Sequence, residues 1–347
     1  MRSEGGDGMR KGPIVAALAL MMILLTACNS GKAAIEEEND GNVIRYQTSR
    51  SNMNLIELAK DLGYLEGIRL VELGDSKGGT ESIHLVGIGE VDVGSSFNGA
   101  IIKAYAKGVE LVSVVSNYGS DDVTNLSAFV LEDSPIREPR DLIGKKVGVN
   151  VLGAHLEFVT VEYLRQAGLS KEEISQVMFV TIPSTSAEQA LKAGQLDVVL
   201  LNGVAKDGLL ERGGARELFS DVDVMGRHFN AGTYFFTRKF IEQKPELARQ
   251  FAEAIAKTIE WSRETPREEV IARMERIIRD RDPNESVDNL KYWKSFGIVT
   301  PGGVIQDEDF QVWIDWLVEH GELETGSVTP EDLYTNEFNP YAKNFFK

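Results

Sequence analysis

Two stretches of this chain spell nearly the same transition. Residues 86–96 read VGIGEVDVGSS and residues 191–202 read LKAGQLDVVLLN. Each passes from a helix end through a glycine, a polar residue and an apolar residue into Asp-Val. Gly89 and Gly194 suit the left-handed position that ends a helix. Asp92 and Asp197 then open a strand whose far end meets a loop. The repeat points to two similar α/β lobes; two ordinary helix-to-strand turns in any α/β fold would read the same way from these residues alone.

The segments around the repeat alternate in kind. Residues 43–46 (VIRY) and 68–73 (IRLVEL) read as strands, with an apolar helix-spaced run at 55–62 between them that Gly63 stops. Residues 74–80 (GDSKGGT) form a loop in which Thr80 can cap the next helix. Residues 91–94 make a third strand, Ser95 to Asn98 open a helix to Lys107, and 109–116 (VELVSVVS) are a buried strand. The pattern restarts with a strand at 145–150, a helix from Gly153-Ala154 closed by Gly168, and a capping box at Ser170 to Glu173. A strand at 177–182, a helix at 185–193, a strand at 197–201 and a helix at 204–212 follow. Strands alternating with helices imply parallel sheets flanked by helices. Residues 230–237 (NAGTYFFT) read as a strand leading out of the second lobe. Beyond it, 245–263, 266–281, 287–296 and 307–320 read as helices, in which the four tryptophans pack or, for Trp293, line a pocket.

The start of the chain addresses a different question. Arg10 and Lys11 precede the apolar run IVAALALMMILL at 14–25, and Thr26-Ala27 lead to Cys28, the only cysteine among 347 residues. A basic start, a short apolar core and small residues before a cut site make a signal peptide, read here as 1–27. About 12 apolar residues fall short of the roughly 20 that span a bilayer. Leu25-Thr26-Ala27-Cys28 matches a lipobox, in which the thiol takes a lipid and becomes the first mature residue; a free buried cysteine is the alternative. Glu4 and Asp7 do not suit a signal, so Met9 is a plausible start. Residues 28–42 (CNSGKAAIEEENDGN) are small, polar and acidic, a flexible tether. One cysteine permits no internal disulfide or thiolate zinc cluster. A net charge of −17 argues against nucleic acid and against a polybasic membrane patch.

The order and spacing of several segments resemble the solute-binding proteins of ABC importers for nitrate, sulfonates, taurine and related compounds. The segments are AKDLGYLEG (59–67), GEVDVGSS (89–96), DSPIREPRDLIGKKVGVN (133–150), EYLRQAGLS (162–170), ALKAGQLDVVLLN (190–202) and KPELARQFAEAIAKTIEW (244–261). The resemblance implies a two-lobed α/β fold of the type II periplasmic-binding-protein kind. Its first lobe would comprise 43–129 and the helical 236–347, its second 130–235. The two crossings would fall near Ala128 to Leu131 and Tyr234 to Thr237. It further implies capture of a small ligand, delivery to an ABC permease, no cofactor, no catalytic residue, no metal, and a monomer held outside the cytoplasm by the lipid on Cys28.

Ligands of α/β lobes bind where strands end and helices begin, and backbone N–H groups there favour oxygen-rich or anionic groups. The junctions supply Ser49, Arg50 and Asn52, Gly79 and Thr80, Ser95, Ser96 and Asn98, and Gly153, Ala154 and His155. Tyr118, Asn202 and Tyr234 are further candidates. Helix capping is the competing role for each Ser and Thr, and solvation for Arg50. His155 could donate a hydrogen bond as a neutral imidazole. If Asp121 and Asp122 line the cleft, the ligand carries an amine or a heterocycle instead.

A sulfonate or taurine leads among ligands, a pyrimidine-type thiamin precursor comes second, and nitrate would leave a Tyr-flanked cleft largely empty. An enzyme on this fold is the first competing class. His84, His155, His228 and His320 lack metal spacing, and no G-x-S-x-G elbow occurs. A binding protein presenting ligand to a sensor is the second.

Overall fold

The computed structural model describes residues 41–50 and 53–346. The signal segment, Cys28, nearly all of the tether and the candidate Asn52 lie outside the described residues.

Strand β1 (Val43–Thr48) alternates half-buried and buried residues and pairs in parallel with β2 (Arg69–Asp75), Val43 opposite Arg69. Helix α1 (Leu55–Asp61) joins them, capped by Asn54, whose Oδ1 accepts from Glu57 N at 2.9 Å. Then come α2 (Gly79–Gly87), β3 (Gly94–Phe97), α3 (Asn98–Ala106), β4 (Leu111–Ser120) and β5 (Leu126–Leu131). The second half runs β6 (Lys146–Val149), α4 (His155–Gln166), α5 (Lys171–Ile174), β7 (Met178–Thr181), α6 (Ser184–Lys192), β8 (Val198–Asn202), α7 (Gly203–Arg212), β9 (Ala215–Ser220) and α8 (Asp221–Met225). β10 (Phe229–Thr237), α9 (Arg238–Gln243), α10 (Pro245–Glu264), α11 (Arg267–Arg281) and α12 (Glu308–Glu319) follow, with two short C-terminal helices.

The repeated Gly-Asp motif has one structural job in both halves. Gly89 and Gly194 adopt φ of 76° and 67°. Asp92 Oδ2 then accepts from Arg45 N at 2.7 Å while its own N–H donates to Arg45 O; Asp197 Oδ2 accepts from Lys146 N at 2.8 Å while its N–H donates to Lys146 O. Each aspartate pins the chain leaving a helix to a parallel-paired strand, β1 in the first half and β6 in the second.

The sheets are mixed rather than parallel throughout. β6 is parallel to both β7 and β8, but β5 runs antiparallel to β8 and β9 in the sheet ordered β7-β6-β8-β5-β9. In the first lobe β10 lies between β3 and β4, antiparallel to both. A strand that arrives from the other lobe enters from the opposite end, which alternation alone cannot reveal. The chain changes sheets between Ser120 and Leu126 and again between Ser220 and Phe229. Both changes precede the expected crossings, because 128–131 and 234–237 are already strand. β3 also begins at Gly94 rather than Val91, so Ser95 and Ser96 belong to a strand and not to a helix start.

The C-terminal helices cover the first lobe. Phe251, Ile255 and Ile259 of α10 pack with Ile44, Leu55 and Ala59; Val270, Met274 and Ile278 of α11 pack with Leu58. Residues 287–296 contain a single 3-10 turn, Leu290–Tyr292, instead of a helix. Val287, Leu290 and Trp293 are all buried in the α11 cluster, and their spacing of three fits either conformation. Trp293 is therefore a core residue. On α12, Trp313 meets Phe97 edge-on at 4.7 Å, and Trp316 Nε1 donates to Glu162 at 3.0 Å, so this helix cements the seam between the lobes. Among the described residues no helix is long and apolar enough to cross a membrane.

Candidate functional site

A cavity of about 350 Å³ lies at that seam. Its walls are the strand ends of both lobes: Gln47 to Ser49 at the end of β1, Ser76 to Gly79 after β2, Ser95 to Phe97 in β3, Asn150 and Val151 after β6, and Asn202 at the end of β8. Asn117, Tyr118 and Tyr234 close it from β4 and β10. Gly78 and Val151 meet across the lobes: a Cβ built on Gly78 would sit 3.4 Å from Val151 Cβ.

Three helices start at this cavity, and no side chain caps any of them. The N-cap positions of α2, α4 and α7 are Gly78, Ala154 and Asn202, each without a side-chain hydrogen bond, and all three line the cavity. Their leading N–H groups and dipoles favour negative charge. The α1 terminus differs, since Asn54 caps it and the Tyr234 hydroxyl meets Leu55 and Ile56 N–H.

Side-chain electrostatics agree. No Asp or Glu is among the described residues lining the cavity, and Lys77 is the one cation there. In a chain of net charge −17 this is a local exception. Arg281 from α11 stands behind the wall, its Nη1 donating to Thr48 Oγ1 at 2.5 Å and to Glu57 Oε1 at 2.8 Å. Gln47 Oε1, Ser96 Oγ, Asn117 Oδ1 and both ring nitrogens of His155 are buried without hydrogen-bond partners. Buried polar groups are rarely left so, and these four residues all face one cavity.

His155 opens α4 and lies flat against Phe97, ring centroids 4.9 Å apart at 10°. Burial pushes its pKa down to about 3, so the ring is neutral. Burial likewise raises the Tyr118 and Tyr234 hydroxyls, which stay protonated.

The structure brings together Ser49, Gly79, Ser95, Ser96, Tyr118, Ala154, His155, Asn202 and Tyr234. It sends other candidates elsewhere. Arg50 points out of the cavity and pairs with Asp75 at 2.6 Å and Asp282 at 3.2 Å. Asn98 is fully buried in the core, where Nδ2 donates to Asp309 O and Asn230 O. Thr80 lies inside α2 rather than capping it, since the helix begins at Gly79. Gly153 N donates to Glu157 Oε2, and with Thr80 it faces the groove along α2 and α3. Asp121 accepts from Val123 and Thr124 N–H in a turn, and Asp122 pairs with His228, so neither reaches the cavity. Gln47, Asn54, Asn117 and Asn150 line it without having been singled out. Asn150 sits at a strand end and was open to the same rule; Gln47 and Asn117 lie within strands, where side-chain parity decides the face.

The α2/α3 groove is larger, about 1100 Å³, but its walls carry no buried unpartnered polar atom. The smaller cavity, where unpartnered polar groups and three helix starts converge, is the candidate.

Known proteins place the chain. The family described as NMT1/THI5 like matches residues 51–269, and the chain belongs to that family. No curated protein matches the sequence significantly. Solved structures share the fold. One, from Bordetella bronchiseptica RB50, is 20% identical, with a TM-score of 0.71 over 88% of this chain and 98% of the other. The alkanesulfonate-binding protein SsuA of Xanthomonas axonopodis pv. citri, bound to MOPS, is 16% identical, with a TM-score of 0.66 over 85% and 99%. The periplasmic nitrate-binding protein NrtA of Synechocystis PCC 6803 is 10% identical, with a TM-score of 0.64 over 86% and 87%.

Proposed function

We propose that this member of the NMT1/THI5 like family is an extracytoplasmic solute-binding protein that holds a small oxygen-rich anion, of the sulfonate class, between its lobes for an ABC importer. The observation that carries the reading is the convergence of three uncapped helix starts on a cavity without a carboxylate. An anionic head gains from each helix dipole and from the leading N–H groups, which have no carbonyl partner within the helix. SsuA and NrtA, which share the fold, bind an alkanesulfonate and nitrate by their names. A volume of about 350 Å³ suits a small organic molecule, and Tyr118, Tyr234 and Phe97 give it an apolar body to contact. Nitrate would leave those walls empty. The same aromatic walls favour a ring-bearing ligand such as an aminopyrimidine as the second reading.

No bond is made or broken in this account. His155, the one histidine lining the cavity, has no hydrogen bond to a serine or any other nucleophile. Selection comes from closing two lobes about the segments 121–125 and 221–228. The lobes are proposed as the first (43 to the 121–125 crossing, and 229–347) and the second between the crossings. Lipid on Cys28 would keep the protein beside its permease as a monomer.

The test is thermal denaturation of the purified protein with ethanesulfonate, taurine, nitrate, bicarbonate, an aminopyrimidine and amino acids. A ligand at about 100 times its Kd stabilises by roughly 2.7 kcal/mol. A sulfonate hit supports the reading; a hit confined to the aminopyrimidine replaces it with the second; a flat panel rejects both.

A further inference from the structure

Behind the cavity lies a buried carboxylate that no step above uses. Asp221 starts α8, in the segment where the chain returns from the second lobe to the first, and it is fully buried. Its Oδ2 accepts from Ser120 Oγ at 2.5 Å, the last residue of β4, and its Oδ1 from Leu126 N at 3.1 Å, the first of β5. One side chain on the return crossing therefore grips both ends of the outgoing one. The same Oδ2 lies 3.3 Å from Nε2 of His155, out of line for a formed hydrogen bond.

We propose that Asp221 fixes the single proton of neutral His155 on Nε2, so that Nδ1 offers a lone pair to the cavity and the ligand must bring an N–H or O–H donor alongside its acceptor-rich head. A neutral imidazole carries one N–H and one lone pair, and the group beside one nitrogen decides which is which. Two lone pairs facing each other at 3.3 Å repel, whereas an N–H there is attracted to the carboxylate. Ser120 Oγ and the N–H groups of Leu126 and Val222 already donate to Asp221, and although burial pushes its pKa up to about 6 it is ionised at pH 8. The placement reverses the simpler expectation that His155 donates to the ligand. The ligand class becomes bifunctional: an amino- or hydroxyalkanesulfonate rather than a plain one. This ligand half rests on the proposed function; the proton placement rests on the His155–Asp221 geometry and on the ring being neutral.

The experiment has two arms on the full chain in detergent at pH 8. With nitrogen-15 histidine, long-range proton–nitrogen correlations read which ring nitrogen of His155 carries hydrogen, His155→Gln identifying the signal. The expected result is hydrogen on Nε2, a shift toward Nδ1 in Asp221→Asn, and retention on Nε2 in Ser120→Ala. Hydrogen on Nδ1 in the unaltered protein overturns the proposal, as does an unchanged tautomer in folded Asp221→Asn. In the second arm calorimetry compares ethanesulfonate, 2-hydroxyethanesulfonate and taurine. At least one donor-bearing ligand should bind about 10-fold tighter than ethanesulfonate, and the gap should shrink in Asp221→Asn. Equal or tighter binding of ethanesulfonate overturns the ligand half. If none of the three binds while hydrogen sits on Nε2, the proton placement stands and the sulfonate reading falls, taking the ligand half with it.

Discussion

Gly79 and Ser96 are packed so closely that a Cβ on Gly79 would stand 2.9 Å from Ser96 Cα, nearer than side chains approach backbone. The contact sets the start of α2 flush against β3 and leaves the Ser96 hydroxyl at the cavity. Gly79→Ala would force the two apart. Overpacking of this kind costs about 1–3 kcal/mol, and here it also displaces a wall of the site. The variant should remain folded in urea titration, with a lower midpoint, and bind ligand at least about 10-fold more weakly by calorimetry. Unchanged affinity would place the ligand elsewhere.

A second expectation concerns pH. His155 has a folded-state pKa of about 3, below the usual 6.5 of an unfolded histidine, because burial disfavours its charge. Between those values the unfolded chain binds the extra proton, so the stability His155 permits is present above about 6.5 and is lost as pH falls toward 3. Asp309 and Asp221, pushed up to about 6 by burial, have the opposite slope, losing stability as pH rises from about 4 to 6. The difference between the unaltered protein and His155→Gln isolates the histidine. That difference should move in favour of the unaltered protein by about 1.4 kcal/mol per pH unit from pH 4 to 6. Urea titrations at three pH values read it, and a flat difference would contradict a buried neutral ring.

Asn98 tests the separation of core from site. Its side chain ties α3 to the backbone of Asp309 and Asn230. Asn230 in turn donates through Nδ2 to Thr300 Oγ1 and Asp309 Oδ2. Asn98→Ala should cost about 1–3 kcal/mol of stability through the carbonyls it leaves unpaired and leave ligand affinity within about twofold. A large loss of affinity at unchanged stability would return Asn98 to the site.

The anchor is tested apart from the cavity. Cys28→Ser removes the thiol that would carry lipid, and the protein should move from the membrane fraction to the soluble one while its ligand affinity is unchanged. Retention in the membrane fraction would mean that something other than Cys28 holds it.

Much of this was legible beforehand. The Gly-Asp repeat disclosed two related lobes, and the strand-end rule led to Ser95, Ser96, His155 and Asn202, because a cleft in such a fold needs strand ends from both halves. What stayed hidden depended on distant partners or on parity. Arg50 is held by Asp282, 232 residues away, and nothing near Arg50 signals it. Asn98 lies only two residues beyond Ser96, yet the turn from β3 into α3 swings its side chain into the core. β5 falls where the resemblance puts a crossing, and β9 is only partly buried, so neither carries a clear strand signal in the sequence.

The most direct measurement is a crystal structure of the protein with the tightest ligand from the panel. The account predicts an acceptor-rich head within hydrogen-bonding distance of the N–H groups that begin α2 and α4, beside Ser96 and His155, with no carboxylate touching it. A ligand seated in the groove between α2 and α3, or one whose charged group meets an Asp or Glu, would contradict it.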